Sequence, residues 1–153
     1  MNQKTGSGKY EQLLAKCKSL APIPTAVAHP CELTALTGAM EAAELGLIKP
    51  ILVGPLKKID AVAKSAKIDL TNIEVVDSSH SHDSAAKAVA LIREGKAELL
   101  MKGSLHTDEL MSAIVSREGG LRTSRRISHV FIMDVPTYHK VLIITDGAIN
   151  IAP

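Results

Sequence analysis

Tryptophan is absent, and one phenylalanine and two tyrosines are the only ring-bearing apolar residues among 153. With 46% of the chain hydrophobic, the core must be built from Ala, Leu, Ile and Val, which suits helices layered on a sheet. It also leaves few platforms for stacking single-stranded nucleic acid. The two cysteines, Cys17 and Cys31, are too few for a disulfide framework and lack metal-ligand spacing, so reduced thiols in a cytoplasmic protein are expected. Neither charge sign dominates: 18 basic against 16 acidic residues leave +2, not the concentrated positive face of a nucleic-acid binder. No apolar run approaches the ~20 residues that span a bilayer. The polar start "MNQKTGSG" lacks the apolar block of a signal peptide. A soluble intracellular chain with neither nucleic-acid nor membrane partners is therefore expected. Its length suits one ordinary domain, which at this size buries about 68–70% of its unfolded surface.

What is present alternates regularly. Residues 1–9 read as a flexible tail. Leu13, Leu14, Cys17 and Leu20 have helical spacing, and "PTAVAHP" (24–30) is an extended run bounded by prolines. Leu33, Leu36, Met40, Ala43 and Leu47 form one helical stripe, stopped near Gly46 and Pro50. Strands follow at "PILVG" (50–54), "IEVV" (73–76) and "AELLM" (97–101), with helices at 55–67, 83–95 and 107–117. Asp83 or Ser84 is the expected N-cap of the second of these helices. "SHVFIM" (128–133), read as buried, and "KVLIITD" (140–146) are strands joined by a turn too short for a helical crossover, hence a candidate antiparallel pair. Short apolar strands separated by helices of a dozen residues predict a three-layer α/β sandwich with a mostly parallel sheet.

Five stretches carry polar chemistry. "GSGK" (6–9) lacks the preceding strand, the glycine spacing and the Ser/Thr of a phosphate loop. "SSHSHD" (78–83) offers His80, His82 and Asp83 as metal ligands, but a metal site usually needs a third fixed ligand and a second shell, so it reads rather as a polar strand-to-helix loop with a cap. "KGSLHT" (102–107) closes a strand and opens a helix, the place where open α/β sheets collect anions. There Lys102 adds charge, Gly103 permits close approach, and Ser104, His106 and Thr107 can donate to phosphate; Thr107 or Asp108 could instead serve only as a cap. "GLRTSRRISHVF" (120–131) sets Arg122, Arg125 and Arg126 before an apolar strand, either a phosphate-binding fork or a solvated loop. "ITDGAINIAP" (144–153) ends on an apolar stretch with nothing left to cover it, pointing to a partner or to further chain.

Taken in order, "LLMKGSLHTDELM", "GLRTSRRISHVFIMDVP" and "LIITDGAINIAP" resemble the phosphate acetyltransferase/phosphate butyryltransferase family, in particular the form fused behind an enoyl-CoA hydratase domain. The resemblance runs from about Thr25 to Pro153. It implies an isocitrate-dehydrogenase-like first domain over residues 10–146, with 147–153 beginning the connection to an incomplete second domain. It implies the reaction acyl-CoA + phosphate = acyl phosphate + CoA. Coenzyme A then enters as substrate, with no cofactor and no metal, and the enzyme is expected to be a cytoplasmic homodimer.

On this resemblance Lys102, Gly103, His106 and Thr107 belong to the phosphate and acyl-phosphate pocket, and Arg122, Arg125 and Arg126 to coenzyme A. Asp146 and Asn150 would face the cleft between domains. Ser112 stands where members of the family often carry an arginine. The serine and the aspartate expected to take the thiol proton belong to a later part of the family's length, so no catalytic residue is assigned here. The alternative is a non-catalytic fragment that binds coenzyme A or a phosphate ligand, or an assembly module.

Overall fold

Eleven elements order residues 8–147, the part of the chain that the computed structural model describes. They are α1 (Lys9–Cys17), β1 (Ile23–Ala28), α2 (Leu33–Glu44), β2 (Ile48–Gly54), α3 (Leu56–Ala66), β3 (Glu74–Asp77), α4 (Ser81–Arg93), β4 (Leu99–Lys102), α5 (Thr107–Val115), β5 (Val130–Met133) and β6 (Leu142–Thr145). They group into two compact units. One spans Ala21–Arg122; in the other, the described residues up to Leu20 join those from Thr123 onward. The sequence reading treats 10–146 as a single domain, whereas α1, β5 and β6 make most of their contacts among themselves.

The larger unit is a parallel sheet in the order β3-β2-β1-β4. Its central strands are buried on both faces, which is why "TAVA" and "PILVG" read as continuous apolar runs rather than alternating ones. Val27 and Leu52 face α2 and α3, packing with Leu36, Ala39, Ile59 and Ala63. Ala26, Ala28, Ile51 and Val53 face the opposite way, against Ala85, Ala88, Leu91 and Leu110 of α4 and α5. The helices thus cover both faces, giving the predicted three layers. Leu36, Leu52 and Ile59 are fully enclosed, each contributing about 1.5–3 kcal/mol on burial. Small alanines on α4 let that helix approach the sheet closely.

The smaller unit holds two departures from the sequence reading. Lys9, assigned to the flexible tail, opens α1. Its Nζ donates to Asp134 Oδ1 (3.3 Å), Val135 O (3.0 Å) and Tyr138 O (2.6 Å), tying the helix to the β5–β6 turn. The second departure concerns β5 and β6, which pair antiparallel as expected but are not buried. Phe131 and Ile132 on β5 are 52% and 59% exposed, and Ile143 on β6 is 66% exposed, because a two-stranded ribbon with one short helix has too little surface to cover them. Among the described residues no helix is long and apolar enough to cross a membrane.

Candidate functional site

The chain runs outward from β1 through β2 to β3, then returns to place β4 on the other side of β1. Strand order therefore reverses between β1 and β4, and the loops leaving their carboxyl ends diverge into opposite layers. Such a reversal opens a crevice where ligands of parallel α/β sheets bind. Here it is a cleft of about 440 Å³ lined by Glu32, Thr34 and Ala35 from the start of α2 and Met101–Leu105 from the end of β4.

Two loops are clamped together to form this crevice. Gly103 N–H donates to Ala28 O (2.8 Å) and Ser104 N–H to His29 O (2.9 Å), continuing the ladder beyond the strands. Ser104 Oγ also donates to His29 O (2.7 Å) and accepts from Cys31 N–H (3.1 Å). The hydroxyl read from sequence as a phosphate donor is thus spent holding one loop to the other. Gly103 is required by space: a Cβ there would collide with Ala28 O and lie 2.6 Å from His29 O.

The lining contains one ammonium, Lys102, and one carboxylate, Glu32. Lys102 is exposed, its Nζ touching only its neighbour's Gly103 O at 3.4 Å. The helix termini tip this even balance toward anions. Glu32 is the N-cap of α2, yet no side chain caps that helix, and its first turn carries no acid. The N–H groups of Leu33, Thr34 and Ala35 precede the first helical bond, from Leu36 N–H to Glu32 O. Thr34 and Ala35 line the cleft, so the partial positive charge of the helix start lies beside it. Lys58, on α3, lies near enough to disfavour protonation of His29 and to favour the Cys31 thiolate, though burial is the larger influence on both and pushes the Cys31 thiol up.

The neighbouring helices are occupied differently. Leu56 N–H, at the start of α3, donates to Asp77 Oδ1 (2.9 Å). His80, not Asp83 or Ser84, caps α4, its Nδ1 accepting from Asp83 N–H at 3.3 Å. Asp83 accepts from Ser79 N–H and pairs with Lys87, which lowers its carboxyl below the ordinary value. At α5 the N-cap is His106, one residue ahead of Thr107 and two ahead of Asp108, and Glu109 Oε2 accepts its N–H at 2.8 Å. Glu109 Oε1 accepts from Ser81 Oγ (2.6 Å) and pairs with His82 Nε2 (3.2 Å), so one carboxylate ties the starts of α4 and α5 together. The Ser81 bond, then that of His106, lowers its carboxyl. Among the described residues no three His, Cys, Asp or Glu side chains converge as a metal site would need.

The predicted site residues therefore separate. Lys102 and Gly103 line the cleft; His106 and Thr107 are exposed at the start of α5, outside the lining. Arg122, Arg125 and Arg126 are exposed in irregular backbone before β5. Asp146 lies just after β6 with φ +57°, accepting from Ser128 Oγ at 3.1 Å. Asn150 lies outside the described residues.

Sequence reasoning missed His29, which is only 7% exposed and adopts φ +57°. Its Nδ1 lies 2.8 Å from Ser84 Oγ, which lies 2.7 Å from Ser78 Oγ and donates to His80 O at 2.9 Å. His80 O also accepts the helical N–H of Ser84, and the His29–Ser84 bond forms with the proton on either partner. Burial holds the imidazole below its ordinary pKa, so the ring is neutral. The one sequence signal was an imidazole between an apolar strand and a proline.

Comparison with known proteins bears on what this crevice serves. A family model described as "Phosphate acetyl/butaryl transferase" matches residues 79–153. A phosphate acetyltransferase of Rhizobium meliloti is 61% identical over 145 residues, covering 95% of this chain and 46% of its own length. A phosphate butyryltransferase of Clostridium beijerinckii is 33% identical over 147 residues, covering 96% and 49%. In fold, the chain is similar to a phosphotransacetylase from Streptococcus pyogenes, with TM-score 0.75 at 15% identity over 95% of this chain and 53% of that one. The chain spans about half the length of the curated relatives it matches. The chain is thus similar over nearly its whole length to phosphate acetyltransferases and phosphate butyryltransferases, and in its second half to their family model.

Proposed function

We propose that the chain forms one wall of a phosphate acyltransferase that moves an acetyl or butyryl group between coenzyme A and inorganic phosphate. The observation that carries this reading is the joining of Lys102 and the uncapped start of α2 around one crevice at the strand-order reversal. In this reading the crevice is the phosphate subsite. Lys102 and the N–H groups of Thr34 and Ala35 hold the anion, Gly103 lets the backbone approach it, and His106 and Thr107 continue the same loop beyond it. The exposed forks of Arg122, Arg125 and Arg126 bind the phosphates of coenzyme A.

A phosphate oxygen then attacks the thioester carbonyl carbon. The C–S bond breaks, and coenzyme A leaves as a thiolate that takes up a proton. Fixing phosphate against the thioester replaces a bimolecular encounter, an effect worth about 7–11 kcal/mol when orientation is good. The proton lost by the attacking hydrogen phosphate balances the one the thiolate gains and no electrons are transferred, so no redox cofactor enters the reading. The acid–base group is assigned to the part of the family's length not represented in these residues. A cytoplasmic homodimer, as the family resemblance implies, is part of the same proposal.

The test is coenzyme A release from acetyl-CoA by the enzyme at full family length, with acetyl phosphate assayed in parallel. Release that needs phosphate and matches acetyl phosphate one for one is expected. Release without phosphate, or without acetyl phosphate, overturns the reading.

A further inference from the structure

His29 sits beneath the crevice without lining it, and three donors converge on its carbonyl: Cys31 N–H (2.8 Å), Ser104 N–H (2.9 Å) and Ser104 Oγ (2.7 Å). That carbonyl is aimed by a left-handed backbone, φ +57°, which side-chain-bearing residues adopt at a cost. The conformation is held from both ends. His29 N–H donates to Val53 O at 2.7 Å, and its ring is bonded to Ser84 Oγ, which also lies 2.7 Å from Ser78 Oγ and 2.9 Å from His80 O.

Ser84 is fully buried, and Pro30 is enclosed just after the bend. The strained turn therefore cannot relax unless a buried hydrogen bond breaks. Two of the three bonds that the His29 carbonyl accepts come from Ser104, in the loop that presents Lys102 and Gly103.

Resting on the reading of the crevice as the phosphate subsite, we infer that His29 is a positioning residue for phosphate. It acts through its backbone carbonyl, with Ser84 as the lock that keeps the carbonyl aimed at Ser104. The imidazole touches no substrate; bonded through Nδ1 to buried Ser84, it holds the strained turn. Phosphate affinity, rather than the bond-breaking step or acetyl-CoA affinity, should respond to changes here.

The test compares His29→Ala, His29→Gly, Ser84→Ala and Lys102→Gln at full family length, with steady-state kinetics in phosphate and acetyl-CoA and thermal melts to confirm folding. Alanine and glycine both remove the ring, but only glycine accepts the left-handed backbone freely. His29→Ala is expected to raise the phosphate KM about tenfold and His29→Gly about threefold, with kcat and the acetyl-CoA KM within about twofold. A purely packing role predicts glycine no better than alanine, and that order overturns the inference. So does an unchanged phosphate KM in folded His29→Ala while Lys102→Gln raises it. If Lys102→Gln leaves the phosphate KM unchanged, the subsite reading fails and this inference with it. Should His29→Ala not fold, Ser84→Ala decides: a rise of about threefold in phosphate KM supports the lock, and no change overturns it.

Discussion

A Cβ on Gly103 would lie 2.6 Å from the carbonyl oxygen of His29, and closer still to that of Ala28. Both obstacles are backbone, so they cannot swing aside as a flexible side chain would. Gly103→Ala is accordingly expected to push the β4–α5 loop off β1, breaking the bonds from Gly103 N–H and Ser104 N–H. A loss of about 1–3 kcal/mol in urea unfolding is expected, together with a raised phosphate KM in folded enzyme. Wild-type stability and wild-type phosphate KM together would mean that the two loops are not held as described.

The arginine loop makes a contrasting prediction. Arg122, Arg125 and Arg126 are exposed, and among the described residues none of their guanidinium groups has a hydrogen bond or ion pair. Replacing any one with alanine should change stability by no more than about 0.5 kcal/mol. Arg122→Ala should raise the coenzyme A KM more than the phosphate KM in initial-rate measurements. Equal effects on both substrates would contradict the division of roles.

Acid should weaken the larger unit in two stages. Burial keeps folded His29 below its ordinary value near 6.5, so below that pH the unfolded chain binds the proton more readily. Stability from the neutral ring is therefore complete above 6.5 and declines as pH falls from there toward the folded pKa. Glu109 behaves as a carboxylate with a lowered pKa: its contribution is present above its ordinary 4.5 and is lost as pH falls through its folded value. Urea midpoints from neutral pH down to about 5 should fall for the wild type and flatten in His29→Asn. Equal slopes in the two proteins would show that His29 does not carry the first stage.

The sheet was legible because its central strands, buried on both faces, read as short apolar runs, as "PILVG" does. The position of Lys102–Gly103 at a strand's carboxyl end followed from the same alternation. What could not be read locally was partnership. Ser84 lies 55 positions from His29, and Ser104 lies 75 positions from it, so nothing near "AHP" announces a clamped turn. The apolar run of β5 was read as buried because hydropathy records what a strand could bury, not whether anything covers it. Lys9 looked like a tail residue for the converse reason: its partners, Asp134, Val135 and Tyr138, lie more than a hundred positions away.

Lys102→Gln tests the central claim most directly, because it removes the crevice's ammonium while disturbing only one long contact, to Gly103 O at 3.4 Å. The measurement is the initial rate of coenzyme A release from acetyl-CoA, at full family length, across a phosphate titration. A rise of about tenfold or more in the phosphate KM is predicted, with the acetyl-CoA KM and thermal stability unchanged. A wild-type phosphate KM in the folded variant would contradict the claim that phosphate binds between β1 and β4.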